Sequence, residues 1–323
     1  MEYKTIGRTG VKVSQLCMGT MSFGDIADKQ TSFDMYTRCR EEGINFFDTA
    51  DLYADGRSEE ILGECISGHR EEIVLTSKVY NPTSEDINAR GLSRKHIIQA
   101  VEESLERLDT DYLDFYFFHQ FDSKTHIEES LKAMDDLVRQ GKILYPAASN
   151  WAAWQIEKAL GISAKKDLAR FELIQPMYNL VKRQAEVEIL PMAQEENLGV
   201  ITYSPLGAGL LTGKYNKGNR PEKGRIVEND MYTKRYGEDV YFDIAEEFTE
   251  YAKKQGVEPA TLAVAWVKSH PAITAPIIGA RNVDQLEDSL AALDFEMSEE
   301  MRQEIANISI TPAPAHDRLE EIK

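Results

Sequence analysis

Short β-rich runs alternate with longer amphipathic stretches along nearly the whole chain, and this rhythm limits the fold more than any other feature. The runs are "QLCMGT" (15–20), "INFFDT" (44–49), "EIVLTSK" (72–78), "LDFYFFH" (113–119), "ILYPAAS" (143–149), "FELIQPM" (171–177), "GVITYSP" (199–205) and "APIIGA" (275–280). Helical patterns lie between them. In 127–140, for example, Ile127, Leu131, Met134 and Val138 recur every three or four residues, and Gly141 supplies a stop. Strands joined through helices run parallel, and strands covered on both faces read as continuous apolar runs, so eight such units predict a closed (β/α)8 TIM barrel. The rival is an open doubly wound sheet, which would carry G-x-G-x-x-G after its first strand. Here "MGTMSFG" stands in that place, and the cluster Gly207, Gly209, Gly213 comes late with the wrong spacing. Ahead of the first run, "YKTIGRTGVKVS" turns at Gly7 and Gly10 between two alternating segments, so a small β-hairpin is expected to plug the barrel's amino-terminal end. Residues 1–323 are read as one barrel domain, with 213–240 as a loop insertion over the active face.

Charge narrows the partners. A formal net charge of −18 would repel phosphate backbones and anionic membrane surfaces, so nucleic acid and membrane are not expected partners. The opening "MEYKTIGRTG" lacks a leader pattern, and no stretch reaches the ~20 apolar residues of a membrane helix, which reads as a cytoplasmic protein. Cys17, Cys39 and Cys65 have neither disulfide parity nor metal-ligand spacing and are expected to be buried hydrophobes. The sequence leaves the oligomeric state open. Residues 213–237 run against the overall charge, with seven Lys or Arg to three Asp or Glu. They suit attraction of an anionic cofactor or substrate as well as they suit a solvated insertion.

Barrel enzymes keep their chemistry on the loops that follow strands, so polar residues at the carboxyl ends of strands are the ones to examine. Asp48 ends the second run, Lys78 the third and His119 the fourth, and neighbouring strands lie only ~4.8 Å apart. Tyr53, on the loop after the second strand, can bend over the same spot. An ammonium close to a phenol typically lowers its pKa by ~1–3 units, so Lys78 is expected to activate Tyr53, with Asp48 pairing the buried lysine. A neutral His119 would orient a carbonyl oxygen. Singly, each residue has a plainer role: a cap for the Asp, packing for the Tyr, a surface site for the Lys, a core hydrogen bond for the His. Four such accidents at consecutive strand ends are a poor explanation, and the set as a whole suits protonation of an oxygen that is becoming an alkoxide.

At this point the chain resembles the aldo-keto reductase family. The resemblance runs from about Tyr3 to Met297 and is most specific in "GTMSFG" (19–24), "NFFDTADLYADGRSEEILG" (45–63), "LTSK" (75–78), "DYLDFYFFH" (111–119), "ASNW" (148–151), "QPMYNL" (175–180), "YSPLGAGLLTGKY" (203–215) and "PIIGARNVDQLEDSL" (276–290). It implies a catalytic tetrad of Asp48, Tyr53, Lys78 and His119. It also implies a nicotinamide cofactor, NADPH with NADH as the alternative. Ser149, Asn150 and Gln175 would hold the carboxamide, Tyr203 would stack on the ring, and Gly19, Thr20, Met21 and Asp48 would lie beside it. The pyrophosphate would lie under Ser204, Pro205, Leu206, Gly207, Gly209 and Lys214, where the glycines would let backbone N–H groups approach phosphate. Gly279, Arg281, Gln285 and Ser289 would meet the adenosine end. For the carbonyl substrate, Met21, Tyr53, Tyr80, His119, Phe121 and Trp151 are the expected wall. Pro146 departs from the family pattern, and a proline inside a barrel strand removes a ladder donor, which leaves room for a bulge.

The function implied is reduction of an aldehyde or ketone, sugar-type carbonyls included, by hydride from the cofactor and a proton from Tyr53. Two other classes compete: a redox-sensing subunit that binds the cofactor but acts through a protein partner, and a lyase or isomerase that uses the same residues without hydride transfer.

Overall fold

The structure, a computed structural model, describes residues 1–215, 218, 221 and 224–321. Tyr3–Thr5 (β1) and Lys12–Ser14 (β2) pair antiparallel across the Gly7 and Gly10 turn, both glycines at positive φ. The eight runs become Cys17–Gly19 (β3), Phe46–Asp48 (β4), Val74–Val79 (β5), Leu113–Phe118 (β6), Ile143–Ser149 (β7), Leu173–Gln175 (β8), Gly199–Thr202 (β9) and Ala275–Ile278 (β10). They close into a barrel in the order β10-β3-β4-β5-β6-β7-β8-β9, with every pairing parallel. The bulge for which Pro146 leaves room is absent. Residues 113, 115, 116, 117 and 118 of β6 face 143, 145, 146, 147 and 148 of β7 in one constant register, and the Pro146 carbonyl still accepts from Glu172 N–H at 3.1 Å.

The helices come in turn: Lys29–Glu41 (α1), Arg57–Ile66 (α2), Arg94–Leu108 (α3), Ile127–Arg139 (α4), Ala153–Lys166 (α5) and Ile189–Glu195 (α6). After β9 come Arg225–Glu228 (α7), Asp230–Tyr236 (α8), Asp239–Lys254 (α9) and Pro259–Lys268 (α10), and after β10 Val283–Leu290 (α11) and Glu299–Ile308 (α12). Their ends obey local chemistry. Asp28, Ser93, Asn282 and Ser298 each accept a backbone N–H of the first turn they cap. Asp109 and Asp167 close α3 and α5 in the left-handed conformation that Asp and Asn tolerate better than other non-glycine residues. The helix α2 comes so close to the end of α3 that a Cβ on Gly63 would stand 2.7 Å from the Leu108 carbonyl.

Side chains alternate across each strand, and the two faces build two cores. Outward residues such as Phe47, Leu75, Tyr116, Phe118 and Ala148 pack under the helices. Inward residues Cys17, Phe46, Val74, Phe115, Phe117, Ala147, Leu173, Ile201 and Ala275 fill the barrel, joined from the hairpin end by Ile6 and Val13. The hairpin therefore closes the amino-terminal mouth as expected. At the opposite mouth the same inward parity reaches Gly19, Asp48, Lys78, His119, Ser149, Gln175 and Tyr203, where apolar fill gives way to polar groups. Of the segment 213–240, residues 216, 217, 219, 220, 222 and 223 lie outside the described residues, while α7 and α8 lie over this mouth and contact the 207–212 turn.

Candidate active site

Lys78, fully buried, donates to Asp48 Oδ2 at 2.6 Å, to the Thr49 carbonyl at 2.6 Å and to the Tyr53 hydroxyl at 3.5 Å. Asp48 is held from its other oxygen by Thr76 Oγ1 at 2.7 Å and Gln175 Nε2 at 2.9 Å. A buried ammonium with three oxygen neighbours is satisfied, and the carboxylate is fixed in one orientation. Burial alone would lower the lysine's pKa, but Asp48 and Tyr53 outweigh it and hold the group above its ordinary value, so Lys78 stays charged.

The expectation for Tyr53 needs correcting. Burial raises its phenol pKa and Asp48 adds to the rise, and together they exceed the downward pull of Lys78. Tyr53 therefore rests as a neutral phenol, loaded with the proton that a reduction consumes. Lys78 acts on the other half of the event, because its charge stabilises the phenolate left after transfer. The Tyr53 ring meets the edge of His119 at 6.2 Å between centroids. Burial and the nearby Lys78 charge push the His119 pKa down to about 3, so the imidazole is neutral. Asn81 Nδ2 lies 3.4 Å from its Nδ1. An amide nitrogen only donates, which makes Nδ1 the acceptor and leaves the proton on Nε2. All four residues of the tetrad thus meet at one mouth of the barrel.

Backbone strain gathers around them. Ala54 and Asp55, directly after Tyr53, sit at φ 51° and 56°, and Asn150, Ser204 and Ala208 at 59°, 59° and 58°. Such left-handed non-glycine residues cost of order 1–3 kcal/mol each and persist only where the surroundings hold them. Asn150 is held well: its amide donates to the His119 carbonyl at 2.9 Å and accepts from the Tyr203 hydroxyl at 2.7 Å.

The mouth opens into a cleft of about 720 Å³ lined by Gly19, Met21, Asp48, Tyr53, His119, Asn150, Gln175, Tyr203, Ser204, Pro205, Leu206, Gly209, Lys214, Gly279, Arg281 and Gln285. Several expected residues do not line it. Thr20 is buried and bonded to Ser58 and the Asp48 carbonyl; Ser149 is buried and donates to the Gln175 carbonyl at 3.0 Å; Gly207 and Ser289 are buried behind the wall. The N–H groups of Gly207 and Gly209 are spent on turn bonds to Ser204 and Leu206, at 2.9 and 3.0 Å, so these glycines do not offer their own donors to a phosphate. Gly209 gives room instead, since a Cβ there would stand 3.0 Å from Lys214 Nζ. Of the expected substrate wall, Tyr80, Phe121 and Trp151 lie outside the cleft lining. Trp151 is core, its ring 5.8, 5.3 and 5.0 Å from those of Phe118, Phe171 and Phe121. Sequence reasoning missed Leu52, Asn81, Gln120, Arg225, Tyr232 and Arg235, which do line it. The local excess of Lys and Arg in 213–237 was the signal for the last group.

The cleft fits a dinucleotide's phosphates. Lys214 lies with Arg225 and Arg281 at one end, and burial together with repulsion from Arg281 and Arg225 lowers its pKa. Three cations brought together in a chain of −18 gain from an anion between them.

A family model for the aldo/keto reductase family matches residues 15–310. An uncharacterized oxidoreductase of Bacillus subtilis is 38% identical over 319 residues, covering 95% of this chain and 96% of that protein. A probable voltage-gated potassium channel subunit beta of Arabidopsis thaliana is 38% identical over 304 residues, covering 91% and 92%. A putative aryl-alcohol dehydrogenase of Schizosaccharomyces pombe is 34% identical over 332 residues, covering 92% and 93%.

Proposed function

The chain belongs to the aldo/keto reductase family, an NAD(P)H-dependent oxidoreductase acting on small carbonyl compounds, and on that premise we propose that it reduces aldehydes or ketones with NADPH, Tyr53 supplying the proton. The observation that carries this reading is the neutral Tyr53 hydroxyl, 3.5 Å from a charged Lys78, on the floor of a cleft beside a neutral His119. The cofactor, when bound, supplies a hydride to the carbonyl carbon. The chain's own residues do the rest. His119 Nε2–H donates to the carbonyl oxygen and sets its direction toward Tyr53. As negative charge grows on that oxygen, the Tyr53 proton moves to it, and the phenolate that remains is stabilised by Lys78, whose own charge Asp48 keeps in place. Gln175, Asn150 and Tyr203 form the wall against which a nicotinamide would lie, and Lys214, Arg225 and Arg281 would hold the phosphates. Arg281 at the far end is the residue expected to favour NADPH over NADH.

The test is the initial rate of NADPH and NADH oxidation, side by side, with a reactive aromatic aldehyde. Tyr53→Phe is expected to lower turnover by roughly 10²–10⁴ with cofactor affinity little changed. Unchanged turnover would remove Tyr53 as the acid. The sensor reading has one observation in its favour, the likeness to a probable potassium channel subunit. Tight cofactor binding with no turnover of any carbonyl, together with co-purification of a membrane protein, would put it ahead.

A further inference from the structure

The cleft contains one cation more than the phosphate end uses. Among the described residues four basic ones line it: Lys214, Arg225, Arg281 and Arg235. Arg225 and Arg281 both act on Lys214. Arg235, on α8, acts instead on Tyr203 and Tyr236, and its guanidinium lies 5.8 Å from the centroid of the Tyr232 ring, which Arg225 approaches to 5.9 Å. Of these two tyrosines, burial pushes Tyr203 up to about 12 while Arg235 pulls it down, and Tyr236 is bonded to Asn179 at 3.1 Å. Tyr203 in turn is bonded to Asn150, beside His119. Arg235 is thus at the catalytic end.

Its charge is unspent. Among the described residues no carboxylate pairs with Arg235, although the chain carries 55 Asp and Glu and most of its half-buried arginines are paired, as Arg70, Arg107 and Arg183 are. The acids that line the cleft are Asp48, already held by Lys78, and Asp288. A half-buried guanidinium that meets the Tyr232 ring but no carboxylate among the described residues lines the space left for the substrate, next to Tyr203 and the exposed Met231.

Building on the reductase reading, we propose that Arg235 is a specificity residue that binds a carboxylate carried by the carbonyl substrate, so that the preferred substrates are anionic, aromatic or otherwise flat aldehydes and ketones. A planar guanidinium takes a carboxylate through two parallel N–H···O bonds, and the tyrosine faces hold the body between carboxylate and carbonyl. In a cleft partly shut from water such a pair favours the anionic substrate over a neutral one of the same shape, and the positive mouth of an otherwise acidic protein draws it in.

The experiment compares 3- and 4-carboxybenzaldehyde with their methyl esters, in the wild type, Arg235→Gln and Arg235→Lys, with the NADPH dissociation constant measured for each variant by fluorescence. The wild type is expected to prefer at least one acid over its ester by ten-fold or more in kcat/KM, through KM. Arg235→Gln should reduce that preference by about 30-fold, and Arg235→Lys should restore part of it, since it keeps charge and loses the fork. A wild type that prefers both esters overturns the proposal. So does an Arg235→Gln variant that loses NADPH affinity and acid and ester turnover in equal measure, because that places Arg235 on the cofactor's diphosphate. If the wild type turns over neither ester nor acid, the reductase reading fails by itself. The anion site is then judged by binding of benzoate to the NADP⁺-loaded protein: loss of that binding in Arg235→Gln supports the site, and equal binding or none in the wild type overturns it.

Discussion

Strand β5 meets an ion pair on each of its faces. On the barrel side Lys78 meets Asp48 at 2.6 Å, and on the helix side Glu59 of α2, fully buried, meets Arg107 of α3 at 2.7 Å and accepts from the Ser77 hydroxyl. Each pair has a fully buried member, Lys78 in one and Glu59 in the other, although Arg107 is only half-buried, and each is reached from β5 by one of two neighbours, Ser77 and Lys78, that point opposite ways. The pairs differ in what else the charge can reach. The ammonium of Lys78 has a phenol as its third neighbour, and that phenol faces a cleft. Neither Glu59 nor Arg107 lines the cleft; Glu59 is fully buried, and Gly63 lets α2 and α3 meet closely. A buried pair does chemistry only where one member touches a group that a substrate can reach; elsewhere it fastens a strand to its helices.

The largest effect should separate the two pairs. Lys78→Met is expected to lower turnover by about 10²–10⁴, and also to destabilise the fold by about 3–5 kcal/mol, because Asp48 is left buried and unpaired. Adding Asp48→Asn should recover much of the stability and none of the turnover, as read by urea unfolding and by initial rates. The outer pair should show the converse. Arg107→Met strands Glu59 and should cost about 3–5 kcal/mol, while turnover per folded molecule stays within about threefold. Glu59→Gln in the same chain should restore stability. A hundred-fold loss of turnover on breaking the outer pair would erase the distinction.

Much of this arrangement is legible in the sequence because strands have a period of two. Asp48 stands two residues beyond Phe46, His119 two beyond Phe117, Gln175 two beyond Leu173 and Tyr203 two beyond Ile201, so the parity that fills the barrel also aims the polar residues into its mouth. The barrel and its hairpin plug come from the same rhythm. The chain between β9 and α9 obeys no such rule. Arg235 and Tyr232 enter the cleft from a seven-residue helix whose placement depends on tertiary contacts, and no periodicity announces it. Trp151 shows the reverse error: an aromatic next to Asn150 reads as a substrate wall, yet it is buried in a cluster of phenylalanines. Pro146 leaves room for a bulge that does not form, because its carbonyl, which proline retains, still accepts from the Glu172 N–H just ahead of β8. The sign of the Tyr53 shift is also beyond the sequence, since it is set by how fully the ring is buried.

The last effect is read only as a slope in pH, and it concerns Asp51, which sits beside the outer pair. Neither of its carboxyl oxygens finds a hydrogen bond among the described residues, and neither does the nearby Tyr116 hydroxyl. Burial and the Glu59 charge raise its pKa to about 8, against weaker pulls from Arg107, the Leu52 backbone N–H and Lys78. The folded chain therefore keeps a proton on Asp51 that the unfolded chain gives up near pH 4. Between those two values the folded state binds more protons, so the Asp51 contribution to stability falls as pH rises from about 4 to 8, by at most about 1.4 kcal/mol per unit, and levels off above. Asp51→Asn removes that proton. Its stability relative to the wild type should thus improve steadily from pH 5 to pH 8 in urea titrations. A difference that stays constant over this range would mean that Asp51 is ionised in the fold, and that water reaches the helix side of β5 as it reaches the cleft.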